Sequence, residues 1–128
     1  MAATAADGRA YLSKAREFLD AADDSARREN HTATVGNAVH ATIAAADAVA
    51  CVRLKARWKA EHSGAAEHVA TAGVEGEVCA NSLRRVLPLK HQAEYDPRPV
   101  PASRAAGAVR AARQAVEAAE QVIAQIST

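Results

Sequence analysis

TVGNAVHATIAAADAVACVRL, residues 34–54, decides how the rest of the chain is read. Val35, Val39, Thr42, Ala46 and Val49 recur at spacings of three and four, the stripe of a helix. Gly36, His40, Ile43, Asp47, Ala50 and Leu54 form a second stripe beside it, interrupted by polar groups only at His40 and Asp47. A helix apolar over two adjacent stripes has no wide face for water, so this segment, running to about Ala60, is expected to be the central helix of the core.

On its N-terminal side, Leu12, Ala15, Leu19, Ala22 and Ala26 repeat at helical spacing from Ala5 to about Arg28. Asn30 and His31 break that pattern, and Thr32 or Thr34 is placed to cap the next helix. On its C-terminal side, HSGAAEHVATAG, residues 62–73, reads as a connection holding one short helix. A third helix spans Val74 to about Leu87, where Pro88, lacking an amide donor, is expected to kink or end it. DPRPVP, residues 96–101, is a rigid loop, because each proline also drives the residue before it toward extended geometry. Ser103 then caps a last helix whose seam is Ala105, Val109, Ala112, Val116, Ala119, Ile123 and Ile126. The sum is an all-α, antiparallel up-and-down bundle of four main helices, with a short extra helix between the second and third, in one domain over residues 1–128.

Composition supports this and narrows the function. The 128 residues include 35 alanines but only one Trp, two Tyr and one Phe, so the core must come from closely approaching helices rather than from large side chains. Cys51 and Cys79 stand far apart without a C-x-x-C pair and read as buried, reduced thiols. The N-terminus has no basic segment followed by an apolar run, and no window approaches the roughly 18 apolar residues of a membrane span. A soluble, cytoplasmic protein without membrane contact is expected. His62 and His68 repeat a Glu-His dipeptide six residues apart, which misses the i, i+4 spacing of a helical zinc pair, so no metal is expected. The sequence holds no Gly-rich phosphate loop and no nucleophile elbow, and no cofactor is expected either. The net charge of +1 is uneven: from Arg53 to Arg113 there are eleven basic residues against six acidic ones. RLKARWK, residues 53–59, gathers four of those cations around Trp58. They suit a helix C-terminus, or phosphate contact with Trp58 stacking on a base.

YLSKAREFLDAA, NAVHATIAAADAV, the Glu-His of AAEHV, and LPLKHQAEYDP before a final alanine-rich helix occur in an order that resembles the HEPN (higher eukaryotes and prokaryotes nucleotide-binding) domain family. The likeness covers nearly the whole chain and is carried chiefly by K-x-x-A-E-Y, Lys90 to Tyr95. It implies a helical bundle, commonly a homodimer, in toxin–antitoxin, stress or defence systems. A nucleotidyltransferase or an antitoxin protein is the implied partner, and RNA or a nucleotide the implied ligand. Many members are metal-independent ribonucleases using an Arg and a His four to six residues apart, whereas others are binding or regulatory modules without catalysis. Arg85 and His91 have five residues between them, which fits the nuclease spacing. Val86, Leu87, Pro88 and Leu89 fill the interval with apolar groups where the nuclease pattern places a polar residue directly after the Arg.

Four further residues complete the candidate site. Asp47, on an otherwise apolar stripe, needs a partner, and the likeness points first to Lys90 and then to Arg85. His40, seven residues earlier on the same face, is a hydrogen-bonded core histidine or a second site group. Tyr95 is expected to reach its phenol back into the bundle, and Asp96 to order the turn before Pro97. The favoured reading is a non-catalytic HEPN-like module binding a partner protein, a nucleotide or RNA. The alternatives are a metal-independent ribonuclease using Arg85 and His91, and a purely structural interaction bundle. Surplus apolar positions, Val52, Val122 and Ile126 among them, argue for a dimer.

Overall fold

The computed structural model describes residues 2–61 and 64–126. It is all-α: α1 Ala5–Arg27, α2 His31–Arg53, the short α3 Ala65–Ala70, α4 Gly73–Tyr95 and α5 Ala102–Ile126. The four long helices run antiparallel. α2 and α5 pack on each other and on both remaining long helices, while α1 and α4 take the outer corners.

α1 begins with a capping box, in which the Asp7 amide donates to Thr4 Oγ1 and the Thr4 amide to Asp7 Oδ2. Leu12, Ala15, Leu19 and Ala22 form its buried stripe. Gly8 extends that stripe for a steric reason: a Cβ there would lie 2.7 Å from Val52 Cγ2, so α1 and α2 meet at near backbone distance. α2 is the core helix, with Val35, Val39, Thr42, Ala46 and Val49 all buried. The Thr42 hydroxyl is satisfied within the helix by donating to the Ala38 carbonyl at 2.8 Å. An 18-residue window of α2 is long and apolar enough to cross a membrane, contrary to the reading that no window approaches a span. Two thirds of that window (67%) is buried inside the bundle, as in a core helix.

Several boundaries differ from those the sequence predicts. α2 stops at Arg53 rather than near Ala60, because Lys55 adopts a left-handed conformation (φ 56°) that a helix cannot continue through. At its other end Asn30 holds the cap position, and Thr34 sits inside, donating its hydroxyl back to the Asn30 carbonyl. Pro88 neither ends nor replaces the last turns of α4, which run on to Tyr95. The proline is exposed, so the carbonyl it leaves unpaired faces water, and Leu87, Leu89 and Ala93 keep the helix packed on the core. Ser103 lies within the first turn of α5, where the Arg104 and Ala105 amides donate to the Pro101 carbonyl.

α4 and α5 are pinned by buried polar groups. Ser82 Oγ donates to the Ala111 carbonyl at 2.7 Å, and Cys79 Sγ to the Ala115 carbonyl. Both cysteines are free and buried, as expected, and burial pushes the Cys79 thiol up to about 12. Of its predicted seam α5 buries Ala105, Ala112, Val116 and Ala119 and leaves Val109, Ile123 and Ile126 half-buried, while Ala108, Ala111, Ala115, Ala118 and Val122 are buried as well. Val122 is therefore inside the core, Val52 packs against it, and Ile126 is half-buried. Of the three surplus apolar positions, only Val122 is fully absorbed by the bundle.

Candidate functional site

The stretch from Leu83 to Pro97 forms the second half of α4 and its exit. Arg85 and His91 are both exposed on this helix, six residues apart. That spacing turns the side chains about 240° around the axis and about 9 Å along it. Arg85 accordingly lines a polar groove with Asn81, Gln114, Glu117 and Gln121, against α5. His91 lines a different cleft, of about 550 Å³, with Gln92, Arg98, Pro99 and Arg104. One chain does not bring the two together.

The cleft beside His91 is built by the rigid loop. Asp96 leaves α4 in an extended conformation, and its Oδ1 accepts from the Arg98 amide at 3.0 Å, ordering the turn as expected. The Arg98 guanidinium closes on the same carboxylate at 2.8 Å and holds it down at about 2. Arg104, from the first turn of α5, donates to Gln92 Oε1 at 2.9 Å. Tyr95 does not reach into the bundle: it is 71% exposed and lies against the His91 ring, with centroids 5.2 Å apart. The i, i+4 spacing puts both rings on one outer face of α4, so burial of the phenol is excluded by the helix continuing through Pro88. Lys90 is half-buried and takes no ion-pair partner among the described residues.

Asp47 and His40 belong elsewhere. The Asp47 side chain is only 13% exposed, but its partner is Arg57, at 3.8 Å, rather than Lys90 or Arg85. In the antiparallel packing the end of α2 lies beside the first half of α4, so Asp47 shares a small cavity of about 40 Å³ with Leu83 and Trp58. Lys90 is two turns farther along. Burial pushes the Asp47 carboxyl up to about 6, against the pull of Arg57, Lys14 and His68. The cavity has room for a water molecule beside the carboxylate. His40 is not a core histidine either; it is exposed and packs on the Phe18 ring of α1, 5.1 Å away. Apart from Lys90, the predicted set thus divides into four places, and only His91 and Tyr95 meet.

The cations and Trp58 of residues 53–59 stand out in the sequence, but the non-helical course of the segment after α2 does not. His68, in α3, donates from Nε2 to the Ala56 carbonyl at 2.7 Å and lies against the Trp58 ring, while Trp58 Nε1 donates to the Glu61 carbonyl. Arg57 reaches over the Tyr11 ring at 5.2 Å. Gly64 and the left-handed Lys55 bracket this segment, but an alanine-rich pattern running through residue 60 hides the stop. His62 lies outside the described residues, and among those described no cluster of His, Cys, Asp and Glu could hold a metal ion. No model of a known protein family matches the chain, and no curated protein matches it either. The likeness to HEPN domains therefore rests on the sequence motifs alone, chiefly Lys90 to Tyr95.

Proposed function

We propose that this chain is a non-catalytic HEPN-like helical module that captures RNA or a nucleotide at the end of α4. The observation that carries the reading is the separation of Arg85 from His91: a base and a phosphate-stabilising cation must converge on one phosphate, and these face different grooves. What does converge is a binding surface. Tyr95 and His91 offer exposed rings for stacking, and Arg98 and Arg104 flank an open cleft beside them.

A second copy meeting this one through the exposed Tyr95 is part of the proposal, as is a nucleotidyltransferase or antitoxin protein as partner in a toxin–antitoxin or defence setting. Fluorescence anisotropy with labelled single-stranded RNA in chelator tests the binding. Wild type should bind without shortening the RNA, and Tyr95→Ala should lose about 1–3 kcal/mol of affinity, the contribution of one stacked base. Absence of RNA binding by wild type, or equal binding by Tyr95→Ala and Arg104→Ala, contradicts the reading. Sedimentation at micromolar concentration decides the dimer, which fails if the chain stays at monomer mass.

A further inference from the structure

α1 starts, and α2 stops, at the end of the bundle opposite the Tyr95 cleft. There a second cleft of about 530 Å³ opens between the first turn of α1 and the segment after α2, within the size range of small-molecule sites. We propose that this cleft binds a small organic phosphate through Lys55, Arg57 and Lys59. The inference stands independently of RNA capture at the end of α4.

Three features of the chain build the site. Lys55, Arg57 and Lys59 alternate along a non-helical segment, and all three line this cleft. Trp58, between them, lines the inner cavity beside Asp47. The segment is pinned on both sides: the Ala3 amide donates to the Lys55 carbonyl at 3.0 Å, and His68 to the Ala56 carbonyl at 2.7 Å. The cations are therefore presented from a fixed backbone rather than from a free loop.

The two lysines of the cleft are left for a ligand, and Arg57 is shared with Asp47. Asp7 is the single acid among the described residues of its lining, and its carboxylate already accepts from the Thr4 amide. Arg57 is drawn from behind by Asp47, but Lys55 and Lys59 take no ion-pair partner among the described residues. Cys51 on the lining stays a neutral thiol, since burial raises it to about 11. Three cations around one concavity repel one another unless an anion lies between them. The chain also keeps lysine at φ 56°, a conformation that glycine adopts without strain. Tyr11 supplies a flat apolar wall for the organic part of the ligand, next to the cations that would take its phosphate.

Phenyl phosphate and inorganic phosphate are the probes, titrated at constant ionic strength against the ¹⁵N-labelled full chain. The amides of Ala3, Ala56 and Lys59 should shift saturably with phenyl phosphate, and more weakly with inorganic phosphate. Lys55→Gly combined with Lys59→Gln should weaken phenyl phosphate binding roughly tenfold or more, the loss expected for charge-assisted contacts. Glycine relaxes the left-handed backbone, so this variant should melt no lower than wild type and the lost binding reports the charges. Tyr95→Ala should leave the titration unchanged. Shifts that fail to saturate, that survive the double substitution, or that are as strong with inorganic phosphate overturn the proposal.

Discussion

At the end where α2 stops, Arg53 joins three parts of the chain, donating to the Ala72 carbonyl, to Glu75 at 2.5 Å and to Gln125 at 2.7 Å. At the end where α4 stops, the polar contacts are short-range: Arg98 closes on Asp96 two residues away, and Arg104 reaches Gln92 across the loop. The first network fixes the positions of helices relative to one another. The second fixes the course of one loop and leaves rings and cations at the surface. The difference shows why one end can carry a partly buried carboxylate while the other offers exposed groups to a ligand without loss of the fold.

The comparison can be broken by substitutions at each end. Leu83→Ala sets the scale: Leu83 is among the largest fully buried side chains, and its truncation should cost about 3 kcal/mol in urea unfolding. Arg53→Ala should cost about 1–2 kcal/mol, because Glu75, only 16% exposed, loses its cation. A loss as small as that of Arg98→Ala would show that the two networks do not differ.

Asp47→Asn should act in the opposite direction. A carboxyl raised from 3.8 to about 6 means that the folded protein holds a proton that the unfolded chain releases between those values. Wild-type stability should therefore fall as pH rises through about 4 to 6. The amide should give a gain of about 1–2 kcal/mol at pH 7 that vanishes by pH 4. A loss on Asp47→Asn at pH 7 would instead mean that attraction to Arg57 outweighs the cost of burying the carboxylate. Arg98→Ala should have the smallest effect, within about 0.5 kcal/mol, since the Arg98 side chain is 83% exposed and its partner stands only two residues away on the same loop. Faster exchange of the loop amides, without a change in melting temperature, is the expected signature.

The fold was legible because alanine and valine at helical spacing specify both the elements and their buried faces, as in α2 and α5. Its punctuation was less legible. Pro88 looks like a stop but stands on a solvent face, and Lys55 looks like helix but turns left-handed. The candidate site suffered from both. Reading the helix as broken at Pro88 let Tyr95 turn inward, whereas the continuous helix points it out. Reading α2 through to Ala60 concealed that Arg57 could fold back onto Asp47 from a non-helical segment. Spacing in sequence also suggested a pair at Arg85 and His91, which the turn of one helix separates.

That separation is tested most directly by incubating wild type, Arg85→Ala and His91→Ala with structured and single-stranded RNA in chelator, and monitoring both binding and chain length. All three proteins should leave RNA intact, with Arg85→Ala binding it as wild type does and His91→Ala, which loses one stacking ring, binding it more weakly. Cleavage by wild type that both substitutions abolish would contradict the account and make the chain a metal-independent ribonuclease.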